Sequence, residues 1–148
     1  MKIAVACDHA GFTLKETVIN AIQKSGHEVI DCGTNSVESI DFPDYALKAA
    51  TLLTQKKADR AVLICGSGIG MCIAANKVHG VYACVCHDAY SARQGVEHDD
   101  INALCLGALV IGKELASVLV KEFLNAQYLN TGNYKRRVDK IRTIEKNF

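Results

Sequence analysis

The first group in this sequence equipped to do chemistry is a cysteine set against alternate glycines: Cys65-Gly66-Ser67-Gly68-Ile69-Gly70-Met71. It follows the apolar run Arg60–Cys65 and precedes a helical pattern, so it reads as a strand turning into a helix. Glycines let a backbone approach a ligand closely, and N–H groups at a helix start favour an anion. The same place favours a thiolate, which can act as nucleophile, redox centre or general base. The plain structural alternative is a buried strand-end cysteine. A dinucleotide loop fits poorly, because G-x-G-x-x-G begun at Gly66 would need glycine where Met71 stands, although Asp88 lies twenty residues after Gly68. No G-x-x-x-x-G-K-[ST] run is present, which argues against a P-loop.

Two further polar groups could act with that thiol. Asp8-His9 follows an apolar run and reads either as a helix-capping turn or as part of a site. His98, within Glu97-His98-Asp99-Asp100-Ile101-Asn102, reads as part of a polar loop and would supply an acid/base that titrates near neutrality. Cys84-Val-Cys86-His87 resembles metal ligands only briefly, since no second ligand pair has zinc spacing; no metal and no cofactor is expected. The seven cysteines include no C-x-x-C, so they read as buried thiols of a reducing compartment. A thiol redox protein would need Cys72 as the resolving partner of Cys65.

The elements that must position these groups alternate. Strands are predicted at Lys2–Cys7, Glu28–Asp31, Arg60–Cys65, Val81–Cys86 and Ala103–Leu106. Helices are predicted at Phe12–Lys24, Pro43–Gln55, Met71–Lys77, Ala89–Val96, Glu114–Asn125 and Tyr134–Lys146. Repeated β-then-α order implies a parallel sheet covered by helices on both faces. That makes the chain one α/β domain over residues 1–148, a Rossmann-like three-layer sandwich around five strands. Ligands of such folds sit beyond the carboxyl ends of the strands, where Asp8-His9, Cys65-Gly66-Ser67 and His87-Asp88 converge. The last helix is charged on most faces, with too little apolar surface for its own core, and reads as reaching a partner. A net charge of +1 gives no field for nucleic acid, no apolar run approaches membrane-spanning length, and the polar Asp8-His9 pair spoils a signal peptide. The expectation is a cytoplasmic protein.

At these residues the chain resembles the ribose-5-phosphate isomerase B family, grouped with the LacA and LacB galactose-6-phosphate isomerases. The matching blocks are CDHAG at Cys7–Gly11, DFPDYA at Asp41–Ala46 and ICGSGIGMCIAANK at Ile64–Lys77. AYSAR at Ala89–Arg93, EHDDIN at Glu97–Asn102 and RRVDKI at Arg136–Ile141 continue the match. The resemblance implies metal-free aldose–ketose isomerisation of a phosphorylated sugar through a cis-enediolate. Cys65 would be the base, the amides of Gly66, Gly68, Ile69 and Gly70 would hold the oxyanion, and Ser67 would assist hydroxyl proton transfer. His98 would open the sugar ring with Asp8 assisting, while His9 would bind phosphate. The resemblance also implies a homodimer or tetramer with shared sites, a second subunit supplying His98 and the C-terminal arginines. LacA and LacB work as a pair, so a heteromeric partner is a further expectation.

Some residues depart from that pattern. Asp99 stands where the family aims an amide at the substrate, and an ionised carboxylate only accepts hydrogen bonds. Leu109 and Asn133 stand where the family has phosphate-binding arginines; Arg137 stays in register, with Lys113, Lys135 and Arg136 as candidates to compensate. Phe42 replaces a tyrosine and removes a hydroxyl from the sugar pocket. The expected reaction is therefore retained with an altered phosphate end. Ribose 5-phosphate is the expected substrate; allose 6-phosphate, galactose 6-phosphate, a tetrose phosphate or binding without catalysis are the alternatives.

Overall fold

Unbroken apolar strands such as Arg60–Cys65 are stable only where both faces of a sheet are covered, and the chain folds that way. The computed structural model describes residues 1–148. In order, its elements are β1 (Lys2–Cys7), α1 (Phe12–Lys24), β2 (Glu28–Asp31), α2 (Phe42–Thr54), β3 (Arg60–Cys65) and α3 (Ile69–Ala75). They continue with β4 (Ala83–Val85), α4 (Ala89–Asp99), β5 (Ala103–Gly107), α5 (Lys113–Asn125) and α6 (Gly132–Asn147). The strands form one parallel sheet in the order β2-β1-β3-β5-β4. Side chains alternate across it. Ile3, Val5, Val62, Ile64, Leu104 and Leu106 join α1, α4 and α5 in one core, whereas Ala4, Ala6, Ala61, Leu63, Ala103 and Cys105 join α2 and α3 in the other. No helix is long and apolar enough to cross a membrane.

Two elements differ from the sequence expectation in ways that matter. Strand β4 is shorter than Val81–Cys86, because side chains take over the start of its ladder: Asn102 Oδ1 accepts the Tyr82 N–H and Asn76 Oδ1 the Ala83 N–H. Helix α4 does not stop at Val96. It continues through His98 and Asp99 to Asp100, whose left-handed backbone (φ 56°) ends it. His98 therefore sits on the last helical turn and not in a loop. The polar run that reads as loop is stabilised by α6, where Arg142 pairs with Asp100 and Tyr134 stacks on His98.

One buried charge organises the segment between β2 and α2. Lys15 on α1 has its side chain 8% exposed, and its ammonium donates to Asp31 Oδ2 (2.9 Å), the Thr34 carbonyl (2.7 Å) and Asn35 Oδ1 (2.9 Å). Three donors meet three acceptors, as a buried ammonium requires. Lys15→Met is expected to destabilise the fold by about 2 kcal/mol, because the acceptors lose their donor. The urea midpoint measures this, and an unchanged midpoint would mean that the cluster contributes nothing net.

Candidate active site

The chain runs from β1 outward to β2, then returns to place β3 on the other side of β1, so the strand order reverses between β1 and β3. A crevice opens at the carboxyl end of such a switch point. Asp8 leaves β1 there and Cys65 ends β3 there, with Cys7 in register beside Ile64. The packing at this end leaves no room for side chains at two positions. A Cβ on Gly11 would lie 2.4 Å from the Ile64 carbonyl oxygen, and one on Gly107 would lie 2.7 Å from the Ser67 carbonyl carbon. Gly68 takes a left-handed conformation (φ 82°), which turns the chain from β3 into α3.

Cys65 is buried, and its Sγ accepts the Gly68 N–H at 3.1 Å. Ser67 is exposed, and its Oγ accepts the Ile69 N–H at 3.2 Å. No hydrogen bond within the chain takes the N–H groups of Gly66, Ser67, Gly70 or Met71. These backbone donors beside the sulfur suit developing negative charge. Asp8 is buried, and its Oδ1 accepts the N–H of Gly11, the residue just before α1, at 2.9 Å; Oδ2 takes no bond within the chain. His9 is half-buried, and its Nδ1 accepts the Ile40 N–H at 3.2 Å. A backbone N–H only donates, so the proton of His9 lies on Nε2. Burial pushes the neighbouring Cys7 thiol up to about 11 and Cys32 likewise to about 11, which removes both as candidate bases. The Cys72 thiol is engaged on the β4 side, by the Ala83 carbonyl (3.4 Å) and Asn76 Nδ2 (3.5 Å).

Two residues already singled out in the sequence support the site through contacts that only the fold shows. His87 Nε2 accepts the Gly107 N–H at 3.0 Å, fixing the strand end that packs on Ser67; its place at a strand end was the available signal. The Phe42 ring lies against Gly70, where a Cβ would come within 2.9 Å of it. Leu109 is 83% exposed and lies over Gly66, giving the rim an apolar lip.

The remaining expected residues lie elsewhere. Helix α4 runs back along the sheet from Asp88, and its last turn adjoins the amino end of β5. Ala103 there is in register with Ala61, four residues before Cys65, a separation of about 13 Å along the strand. His98 stacks on Tyr134 with ring centroids 4.3 Å apart, and Asp99 Oδ2 accepts from Gln94 Nε2. Arg137, three residues after Tyr134, is exposed on the same stretch of α6 and makes no ion pair within the chain. The structure thus brings together Asp8, His9, Cys65, Ser67 and the glycine amides. It groups His98, Asp99 and Arg137 separately, at the opposite end of the sheet.

The family model described as Ribose/Galactose Isomerase matches residues 3–141. The chain belongs to the ribose/galactose isomerase family. One relative is ribose-5-phosphate isomerase B of Escherichia coli (strain K12), 44% identical over 144 residues that cover 97% of this chain and 96% of the relative. Among solved structures, the family member from Clostridium thermocellum, a ribose-5-phosphate isomerase B, superposes with a TM-score of 0.95 at 45% identity, covering 99% of both chains. That of Mycoplasma genitalium, with bound ribulose-5-phosphate, gives 0.91 at 35% identity over 99% of this chain and 97% of its own.

Gly107→Ala tests whether the crowded backbone contact shapes the site. The methyl group meets backbone with no freedom to move, so a loss of about 2 kcal/mol in stability is expected together with a fall in turnover. Full activity at an unchanged urea midpoint would show that the contact is soft.

Proposed function

We propose that this chain is an aldose–ketose isomerase that interconverts ribose 5-phosphate and ribulose 5-phosphate by general-base proton transfer. The observation that carries the reading is the Cys65 sulfur, held by the Gly68 N–H beside the unused amides of Gly66, Ser67, Gly70 and Met71. In the forward direction the Cys65 thiolate removes the C2 proton of the open-chain aldose. Charge then develops on the carbonyl oxygen, where each well-aimed donor contributes about 3 kcal/mol to the transition state. The Ser67 hydroxyl moves the proton between the two oxygens, and the Cys65 thiol returns its proton to C1. His9 offers Nε2–H to the phosphate, and Asp8 Oδ2 is free to accept a sugar hydroxyl.

Ring opening needs an acid, and we assign it to His98 of the partner subunit, because this chain's own His98 lies at the other end of its sheet. The unit is then a homodimer with two shared sites, each also taking Arg137 of the partner subunit toward the phosphate; His98, Tyr134 and the exposed start of α6 support that arrangement. The cytoplasm is the proposed compartment, in keeping with seven free thiols.

Leu109 favours a second reading of the substrate. An apolar rim weakens the hold on a five-carbon phosphate ester, so allose 6-phosphate, galactose 6-phosphate or a tetrose phosphate would compete with ribose 5-phosphate.

Cys65→Ala is expected to lower kcat on ribose 5-phosphate at least about a thousandfold, the scale of a lost general base. Mixing inactive Cys65→Ala with inactive His98→Asn is expected to restore about a quarter of the wild-type rate, since half of the randomly exchanged dimers are mixed and each holds one intact site. No recovery after subunit exchange would refute sharing, and an active Cys65→Ala would refute the base. Leu109→Arg is expected to lower KM for ribose 5-phosphate about tenfold at similar kcat, the effect of one new charge-assisted contact. A KM that falls only for a six- or four-carbon phosphate would favour the second reading.

A further inference from the structure

The last turn of α4 contains a hydrogen-bond arrangement that the reaction above does not use. Gln94 Nε2 lies 3.0 Å from His98 Nδ1 and 3.0 Å from Asp99 Oδ2. An amide nitrogen has two hydrogens, and here each has an acceptor. The direction of the amide follows from Asp99, since a carboxylate only accepts and the group facing it must be the NH2. With the amide reversed, its oxygen would face the carboxylate oxygen and the contact would be repulsive. The second hydrogen of the same nitrogen then points at His98 Nδ1. That ring nitrogen must be the bare one, and the ring proton sits on Nε2. From the other side the ring is held by Tyr134, 4.3 Å away and tilted by 22°. No bond within the chain engages Nε2.

We infer that Gln94 is a positioning residue: it fixes His98 as the Nε2–H tautomer, and Asp99 fixes Gln94. The carboxylate at position 99 thereby acquires a role in this chain that an asparagine would not fill. An asparagine side chain presents donor or acceptor equally well and would leave the amide of Gln94 free to turn. On a neutral ring held from two sides, the Nε2–H is a fixed hydrogen-bond donor for the ring oxygen of a cyclic sugar: it stabilises the charge that gathers there as the C1–O bond breaks, and the proton that oxygen finally takes is the one the anomeric hydroxyl gives up. The inference rests on the assignment of His98 as the ring-opening acid.

The test uses the intact enzyme and three variants, Gln94→Leu, Gln94→Glu and His98→Asn. Leucine and glutamate are good helix formers, so the α4 backbone is preserved. In wild-type protein, nitrogen NMR is expected to show a pyridine-like Nδ1 and a pyrrole-like Nε2 at His98. Gln94→Glu places an acceptor against Nδ1 and is expected to reverse that pattern. Turnover of ribose 5-phosphate, which must be opened, is expected to fall about tenfold in Gln94→Leu and further in Gln94→Glu, on the scale of a compromised general acid. Exchange of the C1 hydrogen of ribulose 5-phosphate with D2O involves no ring, because its O5 carries the phosphate; it is expected to stay within about twofold. A wild-type nitrogen pattern in Gln94→Glu, or wild-type turnover in both Gln94 variants while His98→Asn is slow, would overturn the inference. Wild-type turnover in His98→Asn would instead overturn the ring-opening assignment, and the nitrogen pattern would still decide whether Gln94 sets the tautomer.

Discussion

Three backbone segments meet at the carboxyl end of β3 with no space for a side chain between them. Gly11 sits on the Ile64 carbonyl, Gly107 on the Ser67 carbonyl group, and Gly68 turns beneath Leu106. This steric constraint sets the positions of the other groups at this end of the sheet. With Gly11 pressed against β3, Asp8 commits one carboxylate oxygen to the Gly11 N–H and leaves the other unused. Because Gly107 is pressed against Ser67, the loop after Cys65 cannot sag into the sheet, and its amides stay clear of the ladder. His87 anchors the same contact from β4. The Cys65 sulfur is thus held by backbone packing, which tolerates almost no change, and not by a network of side chains.

The periphery is built differently. Helix α6 buries only Val138, and polar contacts hold it in place. Glu145 accepts from the Gly80 N–H and the Tyr82 hydroxyl, contacts that keep its carboxyl below the ordinary value. Arg142 meets Asp100, whose carboxyl burial pushes up even as the guanidinium pulls it down. Through Tyr134 this helix also decides how His98 is held, so the proposed acid and the proposed base depend on two unlike kinds of support.

That contrast explains what could be read from the residues. Strands β1, β2 and β3 and helix α1 match their expected spans, because burial on both faces or an apolar stripe leaves a periodic trace. The Cys65 elbow was legible because glycine spacing records close backbone approach. The end of α4 was not, since Glu97-His98-Asp99 has loop composition and is helical beside contacts made with a segment some forty residues later. The shortening of β4 likewise depends on Asn76 and Asn102, whose side chains replace a backbone partner. Gln94 left no trace at all, because its meaning lies in two acceptors that meet only once the helix has formed.

The polarity of a parallel sheet has one more consequence. All five strands point the same way, so a residue at the start of β5 and one at the end of β3 face opposite poles of the chain. If each site takes its base from one copy and its acid from another, an isolated chain contains every catalytic group yet cannot process a cyclic substrate. Specific activity would then depend on how concentrated the protein is. On dilution it would decay with the lifetime of the assembly, and on reconcentration it would return with second-order kinetics.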